Sequence, residues 1–338
     1  MSRPGVLERG DAIWLFAFGY FFFYVPYTGL TKALSKGLYP GAEAVPGALL
    51  LPLSTLSGLL VMLAFLWGTG WWRSATQVQL GGLSLPVPTR WTALSGLCTS
   101  AILTTTTLAY TFDGVSIVFV MLLMRGGVLI LAPVVDALTG RGTRWYSWLG
   151  LALSMGALLV AFAERGGYEI TALCALDIAV YLTAYLIRLR FMSRLAKSDD
   201  PETTKRYFVE EQLMATPMTL LLLVLGAAVG QGKLLSTLRA GFTTHWTSGL
   251  AAETLLIGVF SQLVGIFGTL VFLDKRENTF SVPVNRSASI LAGVVASALL
   301  AWTLGGEGPS LHQLGGAGLV IAAVLSLSLG PAWEARRA

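Results

Sequence analysis

Apolar stretches long enough to span a membrane recur along the whole chain. Ten can be drawn, each near the ~20 residues that a helix needs to cross the hydrocarbon core of a bilayer. They cover residues 12–31, 47–68, 90–110, 115–138, 145–163, 172–192, 208–230, 250–273, 280–304 and 311–330. The pattern predicts ten transmembrane helices joined by short loops, and therefore an all-α integral membrane protein.

Charged and aromatic residues inside these stretches repeat at one spacing. Adding 161 to a residue number pairs Arg125 with Arg286, Asp113 with Asp274, Tyr20 with Tyr181, and Tyr24 with Tyr185. The same shift aligns RGGVLILAPVVDAL (125–138) with RSASILAGVVASAL (286–299) without a gap. A repeat of five spans crosses the membrane an odd number of times, so its second copy enters from the opposite side. We expect two inverted five-helix repeats, 1–163 and 164–338, in one transmembrane domain.

Composition agrees with the membrane class and excludes several soluble ones. The chain is 54% hydrophobic and 12% charged, whereas soluble domains are about 25% charged. The sequence contains no Gly-rich phosphate loop, nucleophile elbow or Cys/His cluster. We therefore expect no enzyme activity, no metal and no cofactor. Without a basic patch interleaved with aromatic residues, a nucleic acid partner is not expected either.

The distribution of Lys and Arg predicts the orientation. Most of the 23 lie on the side of the ten-span topology that holds both termini, and the opposite side holds Lys32, Lys36, Arg165, Lys233 and Arg239. Because cytoplasmic loops carry the excess of positive charge, both termini are expected in the cytoplasm. Short loops and the lack of a recognisable targeting segment favour a bacterial inner (plasma) membrane.

Two arginines inside the spans are the leading candidates for substrate binding. Arg125 lies about 15 Å into its span, and Arg286 occupies the equivalent depth in the second half. A charge at this depth costs about 2.5–3.5 kcal/mol on insertion scales, so it should face water or a partner. Two converging guanidinium groups would bind a carboxylate or phosphate bidentately. The alternative is an ion pair that holds helices together.

Polar residues near Arg286 extend this candidate site. Pro283 and Asn285 precede the arginine, and because proline removes a backbone donor, we expect a kinked or unwound helix there. Asn285 is therefore expected to line the cavity. Gln262 in the preceding span is a weaker candidate.

A polar and aromatic stripe is predicted on the sixth span. Its members, which lie on one helical face, are Asp177, Tyr181, Tyr185 and Arg188. Their partners under the shift are Phe16, Tyr20, Tyr24 and Tyr27. We expect the tyrosines to line a central cavity and to contact a substrate with a flat part. The alternative is an aromatic belt at the membrane interface.

Four charged residues are candidates for coupling or gating: Asp136, Asp177, Arg188 and Glu253. Asp136 follows Arg125 by three helical turns, which places it at the cytoplasmic end of its span, where it would act as a gate or as an ordinary helix-end residue. Glu253 begins the eighth span, so we interpret it first as a helix-start residue and second as a proton acceptor.

Ten spans in two inverted repeats, cytoplasmic termini and a length of 338 residues resemble the drug/metabolite transporter superfamily, which includes EamA-type exporters, nucleotide-sugar transporters and plastid phosphate translocators. The resemblance covers nearly the whole chain and rests on architecture. It implies a central cavity between helices 1–4 and 6–9, containing both arginines and the tyrosines. Phosphate-translocating members carry basic residues on helices 4 and 9. Asn285 and Ser287 flank Arg286 here instead of a second basic residue.

These observations predict a secondary transporter that moves a small organic anion or zwitterion by alternating access. Membrane lipids and the substrate are the expected partners, and small-residue runs in the fifth and tenth spans leave a homodimer open. The alternative is a flippase for a lipid or lipid-linked sugar whose phosphate headgroup meets the same arginines.

Reporter fusions test the predicted orientation. Green fluorescent protein fused after Ala338 should fluoresce, because it folds in the cytoplasm. Alkaline phosphatase fused at the same point should be inactive. An active phosphatase fusion and a dark fluorescent fusion would contradict the cytoplasmic assignment of the C-terminus.

Overall fold

The structure is a computed structural model that describes residues 11–41, 43–108, 117–163, 171–306 and 308–336. Asp113 and Arg165 lie outside these ranges. Within them the predicted all-α class is confirmed, with a single small β-hairpin between the second and third helices. The α-helices are α1 (Ala12–Ser35), α2 (Gly47–Thr69), α3 (Arg90–Leu108), α4 (Ile117–Leu138), α5 (Trp145–Phe162), α6 (Ala172–Leu195), α7 (Pro201–Val229), α8 (Gly232–Thr243), α9 (Ala251–Phe272), α10 (Asn278–Leu304) and α11 (Leu311–Ala335). The hairpin pairs β1 (Gln77–Leu80) antiparallel with β2 (Leu83–Pro86).

Seven of these helices are long and apolar enough to cross a membrane: α1, α2, α6, α7, α9, α10 and α11. The chain therefore has the helices of a multi-pass membrane protein. Helices α3, α4 and α5 occupy three further predicted spans but are not among the seven. Polarity contributes in α3, whose last turns contain four consecutive threonines, residues 104–107.

One helix starts earlier in the sequence than hydropathy predicts, because a capping residue precedes the apolar stretch. Helix α7 begins at Pro201 rather than near residue 208, because Asp200 accepts hydrogen bonds from the backbone N–H groups of Glu202 and Thr203. An Asp cap followed by proline is a strong start signal. Glu210 and Glu211, which the predicted span from residue 208 would put at a helix start, therefore lie in the interior of α7. The short helix α8 and the hairpin were not predicted.

Helix α10 does not unwind at Pro283. The helix is continuous from Asn278 to Leu304, although Pro283, its sixth residue, removes one backbone donor. Asp136, at the end of α4, caps this helix from outside. Its carboxylate accepts the backbone N–H groups of Asn278 at 2.8 Å and Thr279 at 2.7 Å, together with both of their side chains.

The pairs of helices that pack together correspond under the same 161-residue shift that relates the sequence segments. Helix α1 packs against α9 and α10, and α6 packs against α3 and α4. Helix α2 packs against α9, and α7 packs against α3. Adding 161 to the first residues of α3 and α4 gives the first residues of α9 and α10. These packings therefore correspond in pairs under the shift, and α4 and α10 also pack against each other.

The capping role of Asp136 gives a stability prediction. Asp136→Ala removes four hydrogen bonds to a buried carboxylate and leaves the N-terminus of α10 uncapped, so we expect a loss of about 2–4 kcal/mol. Denaturant unfolding in mixed micelles measures this loss in the free energy of unfolding. Asp199→Ala, which removes an exposed ion pair with Lys275, is the control and should leave stability unchanged. Equal effects of the two variants would contradict the capping role.

Candidate substrate site between α1, α4, α6 and α10

Each intramembrane arginine donates to a tyrosine on a neighbouring helix. Arg125 Nη2 on α4 donates to Tyr24 Oη on α1 at 3.1 Å. Arg286 Nη2 on α10 donates to Tyr185 Oη on α6 at 3.0 Å. Both bonds join residues 101 positions apart, as the common 161-residue shift requires. The two halves therefore build the same tyrosine–arginine contact from equivalent helices.

A second tyrosine packs beside each of these contacts. The rings of Tyr20 and Tyr24 have centroids 5.3 Å apart, and those of Tyr181 and Tyr185 are 4.9 Å apart. Tyr20 interacts electrostatically with both guanidinium groups, so the two clusters adjoin. The structure thus brings together six residues predicted for the site. We call them the arginine–tyrosine cluster: Tyr20, Tyr24, Arg125, Tyr181, Tyr185 and Arg286.

Within the described ranges, no carboxylate lies within 4.0 Å of either arginine of the cluster. The ion pairs that occur there all involve other residues. Arg125 and Arg286 are also close enough to repel each other electrostatically. The structural ion pair that we considered for Arg125 is absent from these contacts. Two arginines therefore lie inside helical segments, each contacted by a tyrosine hydroxyl.

Two hydrogen-bond donors, one in the cluster and one beside it, have no acceptor among the described residues. Arg286 Nε and Asn285 Nδ2 are both buried and lack a hydrogen-bond partner. The Asn285 amide lies beside Gly268 of α9, whose missing side chain also leaves room for the ring of Tyr20. A buried donor without an acceptor costs about 1–3 kcal/mol. A ligand with carboxylate, phosphate or carbonyl oxygens would satisfy both donors.

The other candidate residues lie apart from these contacts. The Gln262 amide faces α2, where its Oε1 adjoins Gly58. Glu253, in the first turn of α9, accepts a 2.7 Å hydrogen bond from the Tyr39 hydroxyl. Asp136 caps α10, as described above. Asp177 is buried one turn before Tyr181, and neither of its carboxylate oxygens has a partner.

Arg188 forms a buried ion pair that the sequence did not predict. Its Nε lies 2.8 Å from Glu211 Oε1 and its Nη2 lies 3.1 Å from Oε2, with side-chain exposures of 5% and 0%. Arg188 also donates to Thr269 on α9, while Ser95 and Thr99 on α3 donate to Glu211. The pair therefore ties α6 and α7 to α3 and α9, one turn beyond Tyr185. The Asp200 cap was the signal that would have placed Glu211 inside its helix.

Lys32 is a further basic residue that we had assigned to a loop. Helix α1 continues to Ser35, so Lys32 lies within it and its Nζ donates to Ser297 Oγ on α10 at 2.9 Å. It also interacts electrostatically with Arg125. In the sequence, the position of Lys32 two helical turns beyond Tyr24 indicated that it could lie on the same helix face. Lys32 adds positive charge on the approach to the cluster.

The helices around the cluster are covered unequally. Every residue from 278 to 289 of α10 is buried, whereas residues 21–32 of α1 are all at least partly exposed. Arg125 and Tyr24 are likewise partly exposed, but Arg286 and Tyr185 are buried. The start of α10 is therefore tightly packed, whereas the second half of α1 is only partly covered.

Lys197, in the loop after α6, lies beside the start of α10. Its Nζ donates to the carbonyl of Arg276 at 2.8 Å and to Ser281 Oγ at 3.1 Å. Burial lowers the pKa of Lys197 to about 8, because desolvation disfavours the ammonium form. These hydrogen bonds connect the segment after α6 to the start of α10.

Comparisons with known proteins give the fold and leave the function open. No family model and no curated protein matches the chain. One solved structure, described as "Crystal structure of protein", has a TM-score of 0.55 and 16% sequence identity, with coverage of 94% of this chain and 97% of that chain. At this identity the similarity shows a shared fold over almost the full length of both chains.

The Arg188–Glu211 pair predicts a characteristic pattern of stability. Arg188→Met leaves a buried carboxylate unpaired and should cost about 3–5 kcal/mol. The double variant Arg188→Met with Glu211→Met removes both charges and should recover most of this loss. Unfolding of wild type, both single variants and the double variant gives the coupling energy. Additive losses would show that the two side chains do not act as a buried pair.

Proposed function

We propose that this protein is a secondary transporter of a small organic anion or zwitterion, of the drug/metabolite transporter type. Its ten spans form two inverted five-helix repeats, and the substrate binds at the arginine–tyrosine cluster. Transport proceeds by alternating access, in which the cluster opens to one side of the membrane at a time.

One observation carries this proposal: two arginines lie together in membrane-spanning helices without a carboxylate partner among the described residues. Buried charges are costly unless they are paired, and ionisable groups at such depth mark substrate pathways. Tyrosine hydroxyls orient the guanidinium groups but do not neutralise them. A bound anion supplies the missing charge and accepts from the unpartnered donors of Asn285 and Arg286.

The two-fold correspondence of contacts supports the inverted repeat. Tyr24–Arg125 and Tyr185–Arg286 are equivalent under the 161-residue shift, and the packing of α1 and α6 exchanges in the same way. Binding sites between inverted repeats are typical of secondary transporters. The site receives one tyrosine pair and one arginine from each half, so the substrate lies between the halves.

Unequal burial of α10 and α1 supports alternating access. The start of α10 is buried throughout, while residues 21–32 of α1 are all at least partly exposed. A movement of the two halves that reverses this difference would close one side of the site and open the other.

Ligand-induced stabilisation of the purified protein tests the proposed substrate class. Citrate, glutamate, glucose 6-phosphate, uridine monophosphate and neutral glucose would be compared by thermal shift, with phosphatidylglycerol as the lipid. At a ligand concentration of 100 Kd, binding adds about 2.7 kcal/mol to stability. We expect a shift with at least one soluble anion and none with glucose.

Variants of the cluster identify the binding groups. Arg125→Gln and Arg286→Gln should each abolish the shift while the protein remains folded, and Lys36→Gln, an exposed charge at the end of α1, should retain it. Counterflow of the stabilising anion into proteoliposomes should be lost in the same two variants. Retained binding in both variants would contradict the site. Stabilisation by the phospholipid alone would favour the flippase instead.

A further inference from the structure

Asp177 is an anomaly in α6. The residue is 5% exposed, and both carboxylate oxygens are buried without a hydrogen-bond donor among the residues that the structure describes. The residue is sixth in the helix, which begins at Ala172, so it lies beyond the first turn, where a helix N-terminus stabilises negative charge. Buried polar groups are almost always paired, and each exception requires an explanation.

No described charge compensates Asp177. On α6 itself, the thiol of Cys174 is the group that interacts with it. Helices α3, α4 and α7 pack against α6, and among their described titratable groups Cys98, Arg125, Tyr207 and Glu211 interact with residues of α6 other than Asp177. Cys98, Tyr207 and Glu211 interact with Arg188, three turns further along α6, and Arg125 bonds Tyr24.

An ionised carboxylate in this environment is strongly disfavoured. Moving a charge out of water without a partner costs far more than adding a proton, so such a group takes up a proton instead. A metal cation is a poor alternative, because hard cations require several oxygen ligands. The described residues contain no group of three or more His, Cys, Asp or Glu side chains that could hold a metal ion.

The position of Asp177 links it to the arginine–tyrosine cluster. Tyr181 follows it by one helical turn on the same face, and Tyr185, which accepts from Arg286, follows by two. Four residues of helix span about 6 Å. A movement of α6 that lets water reach Asp177 must therefore also shift the tyrosines that contact Arg286.

We propose that Asp177 is a proton-binding site, occupied in this conformation and emptied when movement of α6 exposes the carboxylate to water. The bound proton removes the charge that burial disfavours. Its release accompanies the rearrangement of Tyr181 and Tyr185, so anion movement is coupled to proton movement. This coupling role rests on the proposed transport function, whereas the proton site itself does not.

Infrared spectroscopy tests the proton site without any substrate. A protonated carboxyl group has a carbonyl band separate from the carboxylate bands, and at about pH 6 exposed Asp and Glu, with ordinary pKa values of about 4, are ionised. We expect this band in the wild type and its loss in Asp177→Asn. Glu253→Gln is the matched control, because Glu253 Oε1 accepts a hydrogen bond from Tyr39 while its Oε2 is, like the Asp177 oxygens, buried without a partner; the band should remain in this variant.

Thermal unfolding checks that the variant is folded. Asparagine resembles protonated aspartate in size and charge, so Asp177→Asn should retain the wild-type midpoint at about pH 6. If Asp177→Asn unfolds, the spectra of wild type and of Glu253→Gln test the proposal instead. A protonated carboxyl band that is absent from wild type overturns the proposal. A band of equal strength in folded Asp177→Asn also overturns it. Neither result bears on whether an anion binds the arginines, which the ligand screen measures separately.

Discussion

An arginine within a membrane-spanning helix must be hydrated or neutralised, and this constraint organises the centre of the protein. Arg125 and Arg286 are contacted by tyrosine hydroxyls, which fix the guanidinium planes but leave the charge. By contrast, Arg188 is neutralised by Glu211 with two short contacts. The same residue type therefore appears in two electrostatic settings. In one it joins four helices, and in the other it contacts a tyrosine hydroxyl.

The contrast extends to the carboxylates. Asp136 is fully buried, yet four donors at the start of α10 stabilise its charge. Asp177 is similarly buried, and no donor within the described part of the chain reaches its carboxylate. Burial alone therefore does not distinguish a structural residue from a functional one in this chain. The hydrogen-bond partners do, because an unpartnered polar group is tolerated only where a ligand, proton or conformational change supplies what is missing.

The sequence predicted the grouping of the two arginines with tyrosines better than it predicted the helix ends. Arg125, Arg286 and their tyrosines were identified because one shift carries both charges and aromatic rings between the halves, and the structure joins them through equivalent bonds. Helix ends were less predictable, since hydropathy does not register the Asp200 cap that starts α7 seven residues early. For the same reason, hydropathy alone does not show that Glu211 lies in the interior of α7. The cap that Asp136 provides to α10 is a tertiary contact between distant helices, so no local pattern could reveal it.

Anomalous diffraction from crystals grown in bromide would test the central claim most directly. Bromide is a simple anion, so a site built from two uncompensated guanidinium groups should concentrate it. The account predicts an anomalous peak between Arg125 and Arg286, which disappears in crystals of Arg286→Gln. A map without bromide there, and with a protein carboxylate within 4 Å of either arginine, would contradict it, because the charges would then be balanced by the protein itself.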